Sequence, residues 1–126
     1  MITDPKEIDQ ILREIIKSHI GPLKIRKDGV AGLEAAGTIP TMQGKQKVDG
    51  FYFASVMPKP KDVRLYFFPI YTDVDAFQDI SPELRKCLKG KSCFHIKKLD
   101  ENLKGEITKM IANGIKVYQE KDLLTS

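Results

Sequence analysis

The chain has no uninterrupted apolar run near the roughly 18 to 20 residues that a membrane-spanning helix needs. Its opening, Met1-Ile2-Thr3-Asp4-Pro5-Lys6-Glu7, has neither a basic start nor a following apolar stretch, so neither a membrane span nor a secretory leader is expected. Cysteine is scarce. Only Cys87 and Cys93 occur among 126 residues, too few for the disulfide framework of a secreted domain, so reduced thiols and a cytoplasmic location are expected. No internal repeat, low-complexity tract or Gly/Ser/Pro-rich linker divides the chain, and one domain over residues 1–126 is expected. A dense cationic run is also missing. Lys and Arg total 21 against 17 Asp and Glu, a net charge of +4, yet nothing is denser than Lys59-Pro60-Lys61 or Lys97-Lys98. That spread argues against a nucleic-acid partner, whose binders gather charge into a stripe.

What is present suffices for a core: 41% hydrophobic and 30% charged residues separate the chain from disordered sequences that bury too little to offset chain entropy. Over residues 4–20, Ile8, Ile11, Leu12, Ile15 and His19 recur at spacings of three and four, which predicts an amphipathic helix capped by Asp4, begun by Pro5 and stopped by Gly21-Pro22. The period then drops to two. Leu23 and Ile25 alternate with Lys24 and Arg26 before a Lys27-Asp28-Gly29 turn signal. Residues 33–39 predict a weak edge strand, because Ala35, Ala36 and Gly37 are poor strand formers. The polar residues 40–49 predict a mobile loop. Residues 51–57 and 63–69, rich in aromatic and β-branched side chains and joined by Pro58-Lys59-Pro60-Lys61-Asp62, predict an antiparallel hairpin. Short helices are expected after Thr72-Asp73 and Ser81-Pro82, a strand over 92–97, and a last helix from Asp100 through Leu103, Ile107, Met110, Ile111, Gly114 and Tyr118. The order implies an α+β fold, an antiparallel sheet of about five strands with the N- and C-terminal helices on one face.

Strict alternation assigns Leu23, Ile25, Phe51, Phe53, Val63, Leu65, Phe67, Phe94 and Ile96 to the face beneath the helices. The opposite face then collects Lys24, Arg26, Tyr52, Ala54, Arg64, Tyr66, Phe68, Cys93, His95 and Lys97. Tyr, Arg and Lys are also what any exposed sheet face carries. Their aromatic and basic mixture nevertheless makes this the candidate binding surface, with Arg26, Tyr52, Arg64, Tyr66, His95 and Lys97 as contacts.

Catalytic and metal motifs are thin. Gly90-Lys91-Ser92 resembles the end of a phosphate-binding loop, but Arg85 stands where that motif needs Gly, and a strand follows instead of a helix. Lys89, Lys91 and the amides around Gly90 retain only the chance of holding an anion loosely. Cys87, Cys93 and His95 form C-x5-C-x-H, with Cys93 and His95 on one side of a strand. A closed zinc site wants four ligands, and a Cys–His nucleophile wants an orienting carboxylate that the sequence does not reveal. No metal ligand set and no catalytic residue are therefore assigned.

The stretch Tyr66-Phe67-Phe68-Pro69-Ile70-Tyr71, then Ser81-Pro82-Glu83-Leu84, then Gly90-Lys91-Ser92-Cys93-Phe94-His95-Ile96-Lys97-Lys98 resembles the YdhG-like family of small bacterial proteins, a domain of unknown function. Leu23-Lys24-Ile25-Arg26-Lys27 is similar to its first strand. The likeness is weakest between Gly29 and Gly50. The family looks like the frataxins in architecture, and one relative is described as an intracellular iron chaperone, which implies a role in iron delivery. Frataxins present an acidic ridge, whereas this first helix mixes charges and the first strand is basic.

The leading expectation is an uncharacterised intracellular YdhG-like protein that is not an enzyme and has no resident cofactor, a binding or carrier protein using the outer sheet face for a protein partner or a small anion. A homodimer through that face is left open. The alternative is a frataxin-like iron chaperone with weak ligands near Asp4, Glu7 and Asp73 to Asp79. Single-stranded nucleic-acid binding ranks behind both.

Overall fold

The computed structural model describes residues 1–125. Helix α1 (Pro5–Lys17) starts at Asp4, whose carboxylate accepts from the Lys6 amide at 3.0 Å, and buries Ile8, Leu12, Ile15 and Ile16. It ends before His19, which lies half-buried beyond the last turn. Strands β1 (Leu23–Gly29), β2 (Gly32–Gly37), β5 (Tyr52–Pro58), β6 (Val63–Phe67) and β7 (Cys93–Ile96) form one antiparallel sheet in the order β1-β2-β5-β6-β7, while β3 (Thr41–Gln43) and β4 (Gln46–Val48) make a separate two-stranded hairpin. Between β6 and β7 run the short helix α2 (Pro69–Thr72), a 3-10 turn at Val74–Phe77 and helix α3 (Pro82–Cys87). Ser81 caps α3 by accepting from the Leu84 amide at 3.1 Å. Asp73 makes no side-chain cap to the 3-10 turn.

Helix α4 (Glu101–Glu120), capped by Asp100, buries Leu103, Ile107, Met110, Ile111, Gly114, Ile115 and Tyr118. It lies against the sheet where Gly114 opens room for the rings of Phe67 and Phe53. These rings meet edge to face at 5.6 Å, and Phe53 meets Tyr118 in the same way at 5.7 Å, the geometry that the aromatic quadrupole favours. Helices α1 and α4 and the sheet share one continuous core. Among the described residues no helix is long and apolar enough to cross a membrane.

Four expectations are corrected. Strand β2 is interior, flanked by β1 and β5, because its small residues admit close neighbours: a Cβ on Gly37 would stand 2.7 Å from the Leu123 carbonyl oxygen, and one on Gly32 the same distance from that of Val56. The β1–β2 turn falls on Val30-Ala31, one residue past the Lys27-Asp28-Gly29 signal, since Gly29 pairs with Gly32. Residues 40–49 are not an unstructured loop: Gln43 pairs with Gln46 across Gly44, whose φ of +63° suits glycine in a two-residue turn. Alternation, finally, is broken in β5. Ala35 pairs with Ala54 but Ala36 with Tyr52, so Phe53 bulges, and both Phe53 and Ala54 are buried. Ala54 therefore belongs to the helix-covered face, and Ser55 and Met57 take the outer one.

Candidate functional site

The register lays a straight row across the outer face. Lys27 stands opposite Glu34, Glu34 opposite Ser55, Ser55 opposite Tyr66, and Tyr66 opposite Cys93. Beside it a second row runs from Met57 through Arg64 to His95. Three of the residues expected from sequence, Arg64, Tyr66 and His95, are thus immediate neighbours on β6 and β7. Tyr52 joins them from β5, its hydroxyl 2.6 Å from Ser55 Oγ. Its phenol pKa is raised, chiefly by burial. Phe68 stacks beside Tyr52 with ring centroids 5.5 Å apart, and Tyr71 beside Phe68 at the same spacing.

Two of the cations of this face, Arg26 and Arg64, are already paired. Arg26 occupies a bulge in β1 and pairs with Glu34 at 3.0 Å. Arg64 Nε donates to Asp62 Oδ1 at 3.0 Å, and His95 Nδ1 lies 3.7 Å from Asp62 Oδ2. Asp62, with a side chain only 7% exposed, is the residue of this candidate surface that sequence reading missed by placing it inside a turn. The parity of a strand contained the signal, since Asp62, Arg64 and Tyr66 alternate onto one face. The turn itself is closed by the Lys59 amide donating to the Asp62 carbonyl at 2.8 Å.

Asp62 also supplies the carboxylate that the Cys–His pair lacked. Both thiol pKa values are nonetheless raised, chiefly by burial, and a thiol held neutral is a poor nucleophile and metal ligand. Cys93 lies beside Tyr66, whereas Cys87 Sγ lies 3.6 Å from the Glu83 carbonyl oxygen in its own helix.

Lys97 does not join the outer-face rows. It turns with His95 into a cavity of about 550 Å³ beyond the β7 edge, shared with Lys86, Lys89 and Lys98. A larger cavity, about 960 Å³, runs between α1 and the β1–β2 and β5–β6 turns. Four of its charged groups satisfy one another: Arg13 bonds Asp9 at 2.8 Å and Asp28 at 3.0 Å, and Lys17 bonds Asp28.

The acidic residues considered for iron stay apart. Asp4 caps α1, while Asp73 accepts from Thr72 Oγ1 at 2.7 Å and pairs with Lys121 at 3.2 Å. Among the described residues no three His, Cys, Asp or Glu side chains stand close enough to hold a metal ion. Comparison with protein-family models, curated proteins and solved structures gives no match to this chain. The YdhG-like and frataxin-like resemblance therefore rests on the motifs quoted from the sequence.

Proposed function

We propose that this chain is a non-enzymatic binding protein whose outer sheet face docks a partner protein. The observation that carries the reading is the row Lys27, Glu34, Ser55, Tyr66 and Cys93, which crosses all five strands in register on the face opposite α1 and α4. Ion pairs already hold Arg26 and Arg64, and Tyr52 is held by Ser55. A face whose polar groups keep their partners when water leaves has a small desolvation cost. Side chains already held by such contacts lose less conformational freedom on association. Aromatic and Arg side chains are the types enriched at such contacts. A free anion would need several unpaired cations, and with Arg26 and Arg64 paired the row offers only Lys27, so the protein partner is favoured on this face. The raised thiol pKa values support the non-enzymatic part of the reading.

Native mass spectrometry of the protein isolated from its own cells tests it, with 14.3 kDa per chain as the reference mass. A complex is expected that dissociates on Tyr66→Ala with Arg64→Ala and survives Val30→Ser at the exposed β1–β2 turn. A mass of two chains would identify a second copy as the partner. Persistence of the complex after the Tyr66 and Arg64 replacements would remove this face from consideration.

A further inference from the structure

We propose that the cavity beyond the β7 edge binds a small phosphorylated ligand carrying at least two phosphate groups. Lys86, Lys89, Lys97, Lys98 and His95 line it, over a floor that includes Cys87 and Leu103. One acid, Glu83, accompanies the four lysines, and its Oε2 already accepts from Asn102 Nδ2 at 3.3 Å. Among the described residues none of the four lysines makes an ion pair. Arg13, Lys17, Lys24, Arg26, Arg64 and Lys121 all do. Four lysines against one acid make a locally cationic lining in a chain whose net charge is only +4.

Backbone bonds force the concentration. The Lys89 amide donates to the Cys93 carbonyl at 2.8 Å, and Leu88 bridges to Phe94, which draws the end of α3 alongside β7. Lys97 and Lys98 then leave β7 just before Leu99 pairs with Ile2. Four lysines thereby line one cavity, an arrangement whose positive field attracts a polyanion. A volume of about 550 Å³ lies within the range of roughly 300 to 1,000 Å³ typical of small-molecule sites. Ammonium groups act on phosphate as point charges, whereas planar carboxylate recognition favours Arg. Four lysines against Glu83 leave more positive charge than the roughly −2 of one phosphate neutralises, which sets the minimum of two. This proposal stands independently of the outer-face reading; His95 is the residue the two share.

Isothermal titration calorimetry of the full chain with inorganic pyrophosphate tests the site, with inorganic phosphate for comparison and at two salt concentrations. Pyrophosphate is expected to bind at one site, more tightly than phosphate and more weakly at high salt. Replacing Lys89→Ser with Lys97→Ser should weaken it by about tenfold or more, the scale set by losing charge-assisted hydrogen bonds. The control pair Lys45→Ser with Lys47→Ser removes the same net charge from the β3–β4 hairpin and should leave affinity unchanged. Tighter binding of ADP than of pyrophosphate would seat a base on Cys87 and Leu103 and identify a nucleotide; equal binding would identify an inorganic polyanion. The proposal is overturned by absent pyrophosphate binding at low salt, by equal losses in both variant pairs, or by binding of a single-stranded oligonucleotide without pyrophosphate. Circular dichroism confirms that each variant keeps the fold.

Discussion

Asp62 holds Arg64 at 3.0 Å, and His95 Nδ1 stands 3.7 Å from the same carboxylate. Removing it leaves both without their partner on a half-buried surface. Arg64 keeps 31% of its side chain in water, so the cost falls short of that for a fully buried pair. Asp62→Ala should lower the unfolding free energy by about 2 kcal/mol, measured by urea denaturation, and Asp62→Asn, which keeps one acceptor, by about half as much. An unchanged urea midpoint would show that the carboxylate does not brace this face. Asp28 acts at the other side of the sheet. Its carboxyl pKa is lowered, first by hydrogen bonding from Lys17 and then from Arg13. A carboxylate whose folded pKa lies below its unfolded value contributes stability that is complete above the unfolded value and is lost as pH falls through the folded one. The difference in urea midpoint between the native chain and Asp28→Asn should therefore hold from neutral pH to about 5 and shrink below about 4. High salt should shrink it as well, since the pair is exposed. A difference that persisted at low pH would mean that the carboxylate's charge is not what matters there.

At the scale of elements, helix α4 was readable almost completely, because 20 residues give a period of 3.6 room to repeat and every apolar position named from spacing is buried. Gly114 was readable as a position but not as a packing device. A Cβ there would stand 2.5 Å from Phe67 Cζ and 2.8 Å from Phe67 Cε1. Phe53 and Phe77 hold that ring edge to face at 5.6 and 5.2 Å, so it has little room to retreat. Overpacking of about 1 to 3 kcal/mol should exceed the roughly 1 kcal/mol that Ala gains over Gly in a helix, so Gly114→Ala is expected to destabilise. Gly105, on the same helix with nothing within 4 Å of its Cβ position, is expected to respond oppositely, Gly105→Ala stabilising by up to about 1 kcal/mol. Thermal denaturation of both variants checks the pair; equal shifts would mean that helix propensity alone governs both. The strands were harder to read for a specific reason. One extra residue at Phe53 reverses the phase of everything after it in β5, and no local signal separates that bulge from plain alternation in Phe51-Tyr52-Phe53-Ala54. The β3–β4 hairpin was hidden likewise, since Thr41-Met42-Gln43 and Gln46-Lys47-Val48 carry too few apolar residues to show a period.

For the molecule as a whole, charge is divided by place: acids pair Arg13 and Lys17 on α1 and Arg26 and Arg64 on the outer face, while the β7 edge keeps Lys86, Lys89, Lys97 and Lys98 with only Glu83. Along the chain these lysines look evenly spread, because Lys86 and Lys89 precede β7 and Lys97 and Lys98 follow it. The antiparallel bridge from Leu88 to Phe94 and the bond from the Lys89 amide to the Cys93 carbonyl fold the two pairs together, a tertiary event to which spacing is blind. The outer-face residues, by contrast, were largely legible, since alternation extends through Arg64, Tyr66, Cys93 and His95 without a bulge. If the lysines were merely a solvated edge, reversing one charge would leave stability unchanged within experimental error. If they are a site held open against repulsion, Lys97→Glu places a carboxylate among three remaining lysines and should raise the unfolding free energy by about 0.5 kcal/mol, the scale of a good surface pair, while abolishing pyrophosphate binding. Gain of stability with loss of binding is the usual mark of a surface kept unfavourable for its ligand. Urea denaturation and calorimetry on the same variant separate the two cases, and a destabilised Lys97→Glu would show that the lysine stem contributes packing instead.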